Sequence, residues 1–170
     1  MLKEGDAVLY AGNGVCTVEN ITNIDFGSGN EMYYVLKPAF DDKNTFYIPA
    51  GKENLMSKLR KLLSKSEVDE IIVSMRENKA KWIDDEQTRK DEYSKIVSSA
   101  DCKSLVKIIR MIYLHKKEIS AKGKKLHLCD EHMLKNAENL LSDEFAYVLK
   151  IEKDDVLPYI LNMLGETADD

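Results

Sequence analysis

Apolar and polar positions alternate with a period of two through the N-terminal part of the chain, in short runs separated by turn residues. Runs of this kind that are rich in β-branched and aromatic residues indicate strands with one buried face. The segment Gly12–Gly14 supplies one of the turns, because glycine and asparagine tolerate a positive φ. The predicted strands are residues 6–10, 14–26, 31–37 and 45–48.

Pro49 follows the last of these predicted strands. Proline has no N–H to donate, so this strand ends there or lies at the edge of the sheet. About four or five short strands bury little surface in a flat sheet. We therefore expect them to curl into a small antiparallel β-barrel of the SH3 or Tudor type.

The apolar period changes to that of helices beyond about residue 64. Ser64 and Glu67 have the spacing of a capping box, and Asp101 is a good N-cap. The predicted helix starts are Ser64, Lys81, Asp101, Asp130 and Asp154 or Asp155, with a loop over residues 121–126. The sequence thus predicts an α+β fold, with a β domain over residues 1–60 and an all-α domain of about five helices over residues 61–170.

The composition is that of a folded protein, because 44% of the 170 residues are hydrophobic and 32% are charged. The apolar runs are too short for a transmembrane helix, and Met1–Gly5 lacks the apolar core of a signal peptide. Cys16, Cys102 and Cys129 are odd in number and far apart, which argues against a disulfide framework. These features predict a cytoplasmic protein that does not associate with a membrane.

The net charge of −5 conceals two regions of opposite sign. Residues 103–125 carry seven lysines and one arginine against one acid, whereas residues 126–170 carry eleven acids against three lysines. A globally acidic protein is a poor nonspecific binder of nucleic acid. The basic stretch can still contact phosphate if another interaction holds the protein nearby. It can equally be a solvated helix face with lysines near a C-terminus, where the helix dipole favours cations.

No motif of catalysis is present in the sequence. It has no phosphate-binding glycine loop, no nucleophile elbow and no His-Glu-x-x-His. His127, Cys129 and His132 lack the paired Cys-x-x-Cys spacing of a closed zinc site. We therefore expect a binding protein that is not an enzyme and has no metal or cofactor.

Several short motifs in register along residues 1–160 resemble one family. The motifs are Gly5-Asp6 before Val8-Leu9-Tyr10, then Gly14, Tyr33-x-Val35-Leu36-Lys37, Ile48-Pro49, Trp82, and Arg110-Met111-Ile112-Tyr113 after Asp101. With these motifs the chain is similar to the CarD/CdnL family of bacterial transcription regulators.

The resemblance implies a Tudor-like N-terminal domain that binds the β subunit of RNA polymerase, a module shared with the transcription-repair coupling factor. It implies that Ile24, Tyr47 and Pro49 lie near this contact. It also implies that the helical domain faces promoter DNA, where Trp82 wedges into the minor groove and stabilises the open complex. An apolar wedge of this kind costs a few kcal/mol of base stacking and stabilises the deformed duplex. The protein is expected to act as a monomer.

The sequence departs from the family after the tryptophan, where family members often carry two Arg and a Tyr and this chain carries Ile83, Asp84, Asp85 and Glu86. Phosphate repels such acids. The predicted DNA-binding residues are therefore Trp82, the basic residues Arg89 and Lys90 that follow the acids, and Lys122, Lys124 and Lys125 of the basic loop.

Two alternatives remain open from the sequence. Trp82 can be a core residue of an ordinary helical domain, although its polar neighbours favour an exposed, functional tryptophan. The chain can also be a protein-interaction module that binds polymerase or another partner without contacting DNA. The acids after Trp82 are the feature that separates this hypothesis from the first.

Overall fold

The computed structural model describes residues 1–27, 29–41, 43–77, 81–99 and 101–165. The chain divides into two compact units, Met1–Leu62 and Leu63–Asp170. The first is built on a β-sheet and the second on α-helices. The predicted α+β fold class is confirmed.

The N-terminal unit is an antiparallel sheet of five strands, counted over the residues that the structure describes. The strands are β1 (Ala7–Tyr10), β2 (Gly14–Asp25), β3 (Asn30–Pro38), β4 (Phe46–Pro49) and β5 (Leu59–Lys61), with a short helix α1 (Glu53–Met56) between β4 and β5. Each of the four predicted strands is found within one residue of its expected ends. β4 ends at Pro49 and is an edge strand, as its proline indicates.

The predicted closed barrel is wrong, because the sheet is open. The strand order is β4-β3-β2-β1-β5, and within the described part of the chain no pairing joins β4 to β5. These two edge strands have only four and three residues and are separated by α1, so neither is long enough to complete a ring. A register shift between Val18 and Asn20 bends β2.

The buried face of the sheet is covered without barrel closure. Its core consists of apolar side chains from β1 to β4, namely Val8, Cys16, Val18, Tyr34, Leu36 and Ile48. Leu55 and Met56 of α1 pack against this core, and so does Leu59 of β5. The opposite face carries Tyr47, which is 48% exposed, beside the buried side chains of Tyr33 and Val35.

The helical unit contains five α-helices among its described residues. They are α2 (Lys65–Ser74), α3 (Glu86–Ser99), α4 (Cys102–Ala121), α5 (Leu128–Leu149) and α6 (Lys153–Leu164), and a 3-10 turn, Met75–Glu77, follows α2. No helix that the structure describes is both long and apolar enough to span a membrane.

Two of the predicted helix starts are confirmed. Ser64 and Glu67 form the expected capping box, in which the Ser64 hydroxyl accepts from the Glu67 N–H and the Glu67 carboxylate accepts from the Ser64 N–H. Asp101 caps α4 by accepting from the N–H of Ser104.

Three predicted starts are corrected. α3 begins at Glu86 and not at Lys81, since the Asp85 carboxylate accepts from the N–H and the hydroxyl of Thr88 at 2.8 and 2.7 Å. α5 begins at Leu128 with His127 at its N-cap, because the Asp130 carboxylate is buried and bonded elsewhere. α6 begins at Lys153, one residue before the earliest predicted start.

Two apolar clusters hold the helical unit together. The cluster of α2, α4, α5 and α6 is centred on Ile72, Phe145 and Val156. The cluster of α4 and α5 is centred on Ile112 and Ala137, with Trp82 and Ile83 packed against it. The segment that carries the predicted wedge residue therefore borders a core.

Candidate functional site

β4 is one of the two edge strands of the sheet, and its register fixes which of its backbone groups face outward. The Ala50 N–H donates to the Met32 carbonyl at 2.8 Å, so residues 50 and 32 form a hydrogen-bonded pair. Hydrogen-bonded and non-hydrogen-bonded pairs alternate along an antiparallel ladder. The pairs of Tyr47 with Val35 and of Pro49 with Tyr33 are then non-hydrogen-bonded. The N–H and C=O of Tyr47 and the C=O of Pro49 therefore point away from β3.

An aromatic patch covers the outer face beside this edge. It consists of Phe26, Tyr33 and Tyr47, and we call it the outer aromatic patch. The ring of Phe26 meets those of Tyr33 and Tyr47 edge to face, with centroids 5.3 and 5.9 Å apart. Phe26 is 63% exposed and Tyr47 is 48% exposed, whereas Tyr33 is buried beneath them.

The sequence-predicted residues Ile24, Tyr47 and Pro49 share this outer face. Side chains that are paired across strands point to the same face, as do alternate residues along a strand. Pro49 pairs with Tyr33, which in turn pairs with Thr22, two residues before Ile24. Ile24 is half-buried and Pro49 is buried, so Tyr47 is the most accessible of the three.

The turn after β2 holds Phe26 in place. The Asp25 carboxylate accepts from the N–H groups of Gly27 and Gly29 at 2.7 and 3.2 Å. Both glycines have a positive φ, 97° and 104°, which a larger residue would rarely adopt. Phe26 is thus an exposed aromatic side chain that directly follows the Asp25 carboxylate in these bonds.

In the helical unit, Trp82 lies in the irregular segment of residues 81–85 that precedes α3. It is half-buried and packs against the core cluster of α4 and α5. Its ring stacks on that of His115 of α4, with centroids 3.6 Å apart and planes inclined by 6°. The guanidinium carbon of Arg89 lies 4.2 Å from the centre of the Trp82 ring. Trp82 is therefore neither a fully exposed side chain nor a fully buried one.

Arg89 of α3 is buried, with only 3% of its surface exposed. Its Nε and Nη2 donate to the two carboxylate oxygens of Asp130, each at 2.9 Å. Its Nη1 donates to the carbonyls of Ile83 and Asp84 at 2.7 and 3.1 Å. This corrects the expectation that Arg89 faces phosphate, because its guanidinium is enclosed and occupied.

Two of the acids after Trp82, Asp85 and Glu86, have local roles at the start of α3. The hydrogen bonds from the Thr88 hydroxyl and N–H lower the pKa of Asp85. The hydrogen bond from Lys90 lowers the pKa of Glu86, and the same bond raises the pKa of Lys90. Lys90 remains half-exposed in its 2.5 Å ion pair with Glu86, so its charge is locally offset.

The basic loop of residues 122–125 is held at the end of α4 by a Schellman motif. The Lys124 N–H donates to the Ile119 carbonyl and the Gly123 N–H to the Ser120 carbonyl, each at 3.0 Å, with Gly123 at φ 70°. Lys122 pairs with Glu118 at 2.7 Å. Lys124 and Lys125 are exposed and have no ion pair with any described residue. The loop is the part of the predicted DNA-binding set that presents uncompensated positive charge.

Residues 2–61 match the family model of the CarD-like/TRCF RID domain. The chain carries a CarD-like/TRCF RID domain. RID denotes the RNA-polymerase-interacting domain, so this is a transcription-related protein that interacts with RNA polymerase. No curated protein matches the chain significantly.

The RID domain match ends in β5 and does not reach the helical unit. The outer aromatic patch and the free edge of β4 both lie inside it. The resemblance that the sequence motifs indicated is confirmed for this part of the chain.

Three residues of these surfaces were missed from the sequence. Phe26 is the last residue of the predicted strand 14–26, and Gly27 and Gly29 close after this aromatic residue could have drawn attention to it. His115 and Asp130 contact Trp82 and Arg89 from distant positions, and no local pattern marks them. No group of three or more His, Cys, Asp or Glu side chains that could hold a metal ion occurs among the described residues.

Proposed function

We propose that the RID domain binds the β subunit of RNA polymerase through the free edge of β4 and the outer aromatic patch, and that the helical unit stabilises the promoter open complex. The protein would act as a monomer in the bacterial cytoplasm and would catalyse no reaction. The observation that carries the proposal is an open strand edge beside exposed aromatic side chains, inside a matched polymerase-interacting domain.

Strand addition fits the backbone of β4. The outward N–H and C=O of Tyr47 offer a donor and an acceptor to an added strand, and Pro49 offers an acceptor only. In such complexes the main chain gives affinity and the alternate side chains give selectivity. Pro49 would also limit pairing beyond this point, which protects the edge from nonspecific association.

The outer aromatic patch fits the anchoring role. Interface hot spots are enriched in Tyr, Trp and Arg and lie where water is excluded. Tyr47 is half-exposed and next to Phe26, so both would lose water on contact with a partner. Apolar and aromatic packing would then supply the contact energy.

The DNA contact would combine Trp82 with the basic loop. Lys124 and Lys125 would contact phosphates, and the accessible part of Trp82 would meet a distorted base step. Few phosphates would be neutralised, so the affinity for free DNA would be weak. Binding to polymerase raises the effective concentration of DNA, which makes weak contact sufficient.

A second candidate is a protein-interaction module that binds polymerase without contacting DNA. The observation that favours it is the burial of Arg89 in its bond to Asp130, which removes one cation from the predicted DNA surface. Asp84 and Asp85 also remain exposed beside Trp82.

A pull-down with purified polymerase tests the polymerase contact, and the lifetime of the open complex on promoter DNA separates the two candidates. Retention by polymerase alone is expected under both. Under the first candidate only, the wild-type chain should lengthen the lifetime of the open complex, and the Trp82→Ala variant should not. Retention without any change in the lifetime would leave the protein-interaction module, and no retention would contradict both.

A further inference from the structure

Arg89 connects three parts of the helical unit at the site of Trp82. The residue belongs to α3, its carboxylate partner Asp130 belongs to α5, and the carbonyls that accept from it belong to Ile83 and Asp84. These two carbonyls directly follow Trp82 in the chain. The buried guanidinium therefore fixes the backbone of a segment that has no regular secondary structure.

The same guanidinium contacts the indole itself, with its carbon 4.2 Å from the ring centre. His115 of α4 supports the ring by stacking at 3.6 Å. A single side chain thus contacts the ring of Trp82 and the backbone of the two residues that follow it. Asp130, which has no exposed surface, holds that side chain in turn.

We propose that Arg89 and Asp130 are positioning residues that set the orientation of Trp82 for its partner. The proposal rests on the DNA contact proposed above. A side chain that is fixed before binding loses less conformational entropy on contact, so a prearranged Trp82 binds better than a mobile one. Loosening the pair would weaken the contact of Trp82 without removing the indole.

The geometry suits arginine and no other side chain. Its planar fork donates two parallel bonds to a carboxylate and keeps a third nitrogen for the carbonyls. The ammonium of lysine is a compact point charge, which cannot reach the carboxylate and both carbonyls together. Replacing both charged partners with apolar residues of similar volume is often neutral for stability, so the bonds can be removed while the fold is kept.

Fluorescence reads out the position of Trp82 directly, because it is the only tryptophan in the chain. The test variant is the full chain with Arg89→Met and Asp130→Leu, and the control is Val156→Ala, which lowers stability from the other apolar cluster. The acrylamide quenching constant should rise at least about twofold in the test variant and stay near the wild-type value in the control. The lifetime of the open complex should fall toward that of Trp82→Ala.

A folded test variant with wild-type quenching would overturn the positioning role. If the double variant fails to fold, Arg89→Lys tests the positioning role in its place. This variant keeps the positive charge and should still raise the acrylamide quenching constant. If Trp82→Ala leaves the lifetime unchanged, the DNA contact fails, and the quenching measurement still decides whether Arg89 positions the ring.

Discussion

At the scale of single residues, Trp82 is the side chain on which the DNA-facing half of the proposal depends. Its polar sequence neighbours indicated exposure, and the structure gives it a half-buried position against His115 and Arg89. The contact with Arg89 joins residues seven positions apart, but the bond that fixes Arg89 spans 41 positions. A local pattern carries no information about such a partner.

Trp82→Ala should lower the free energy of unfolding by about 1–3 kcal/mol, less than the roughly 3–5 kcal/mol of a fully buried aromatic residue. The expected loss comes from the stacking and from the part of the ring that packs against the core. Denaturant unfolding of the variant checks the value. A loss of 4 kcal/mol or more, on the order of a full core truncation, would identify Trp82 as a core residue and favour the protein-interaction module.

Asp84→Arg should strengthen binding to promoter DNA if Trp82 lies against the backbone of the duplex. An exposed acid next to phosphate is repelled, and an arginine there would be attracted. Asp85 is left unchanged, because its carboxylate caps α3 and its loss would confuse the result. Asp154→Arg on α6 is the control, because it changes the net charge by the same amount. Equal DNA affinities for the two variants would mean that Trp82 does not lie at the DNA surface.

At the scale of elements, the strands and most helices followed from local patterns. The four predicted strands were within one residue of the observed ones because period-two runs end at Gly, Asn or Pro in this chain. The helix start at Lys81 was wrong because Asp84, Asp85 and Glu86 stand close together, and local pattern does not mark Asp85 as the one that caps. The start at Asp130 was wrong because no side chain of the described residues caps α5. Asp130, which was expected to cap α5, pairs with Arg89. The sheet stays open because β4 and β5 are short and α1 lies between them in the chain, and alternation does not encode either feature.

The basic loop after α4 should supply most of the electrostatic contact with DNA. Lys122→Ala, Lys124→Ala and Lys125→Ala together should weaken binding and reduce the slope of log K against log salt by about 2, since each lost phosphate contact removes roughly 0.9. Lys122 is expected to contribute least because it pairs with Glu118. A salt titration checks this, with Lys135→Ala, Lys150→Ala and Lys153→Ala as a matched triple control. Equal slopes for the two triple variants would mean that the basic loop does not contact DNA.

At the scale of the whole molecule, the wild-type chain should bind free DNA weakly. Its net charge is −5, and the basic loop offers few uncompensated cations. The slope of log K against log salt should correspond to about three phosphates or fewer. A slope that reports about six or more phosphate contacts would mean that DNA binding does not need polymerase.

The division of the chain into two units agrees with the expectation that DNA binding depends on polymerase. The matched RID domain covers residues 2–61, and the helical unit that follows has its own apolar clusters. The proposed polymerase-binding surface could be inferred from the sequence only through the family resemblance. The contribution of Phe26 and the open edge of β4 required the strand register.

The most direct test of the polymerase contact is the affinity of the full chain for the purified β subunit, measured for the wild type, Tyr47→Asp and Lys61→Asp. Tyr47 lies at the free edge of β4, and Lys61 lies on β5 at the opposite edge of the sheet. Tyr47→Asp should weaken binding by more than about 1 kcal/mol, roughly fivefold in Kd, with the fold intact. Lys61→Asp makes the larger change in charge and should leave the affinity near that of the wild type. Unchanged affinity for Tyr47→Asp, or an equal loss for both variants, would contradict binding through β4.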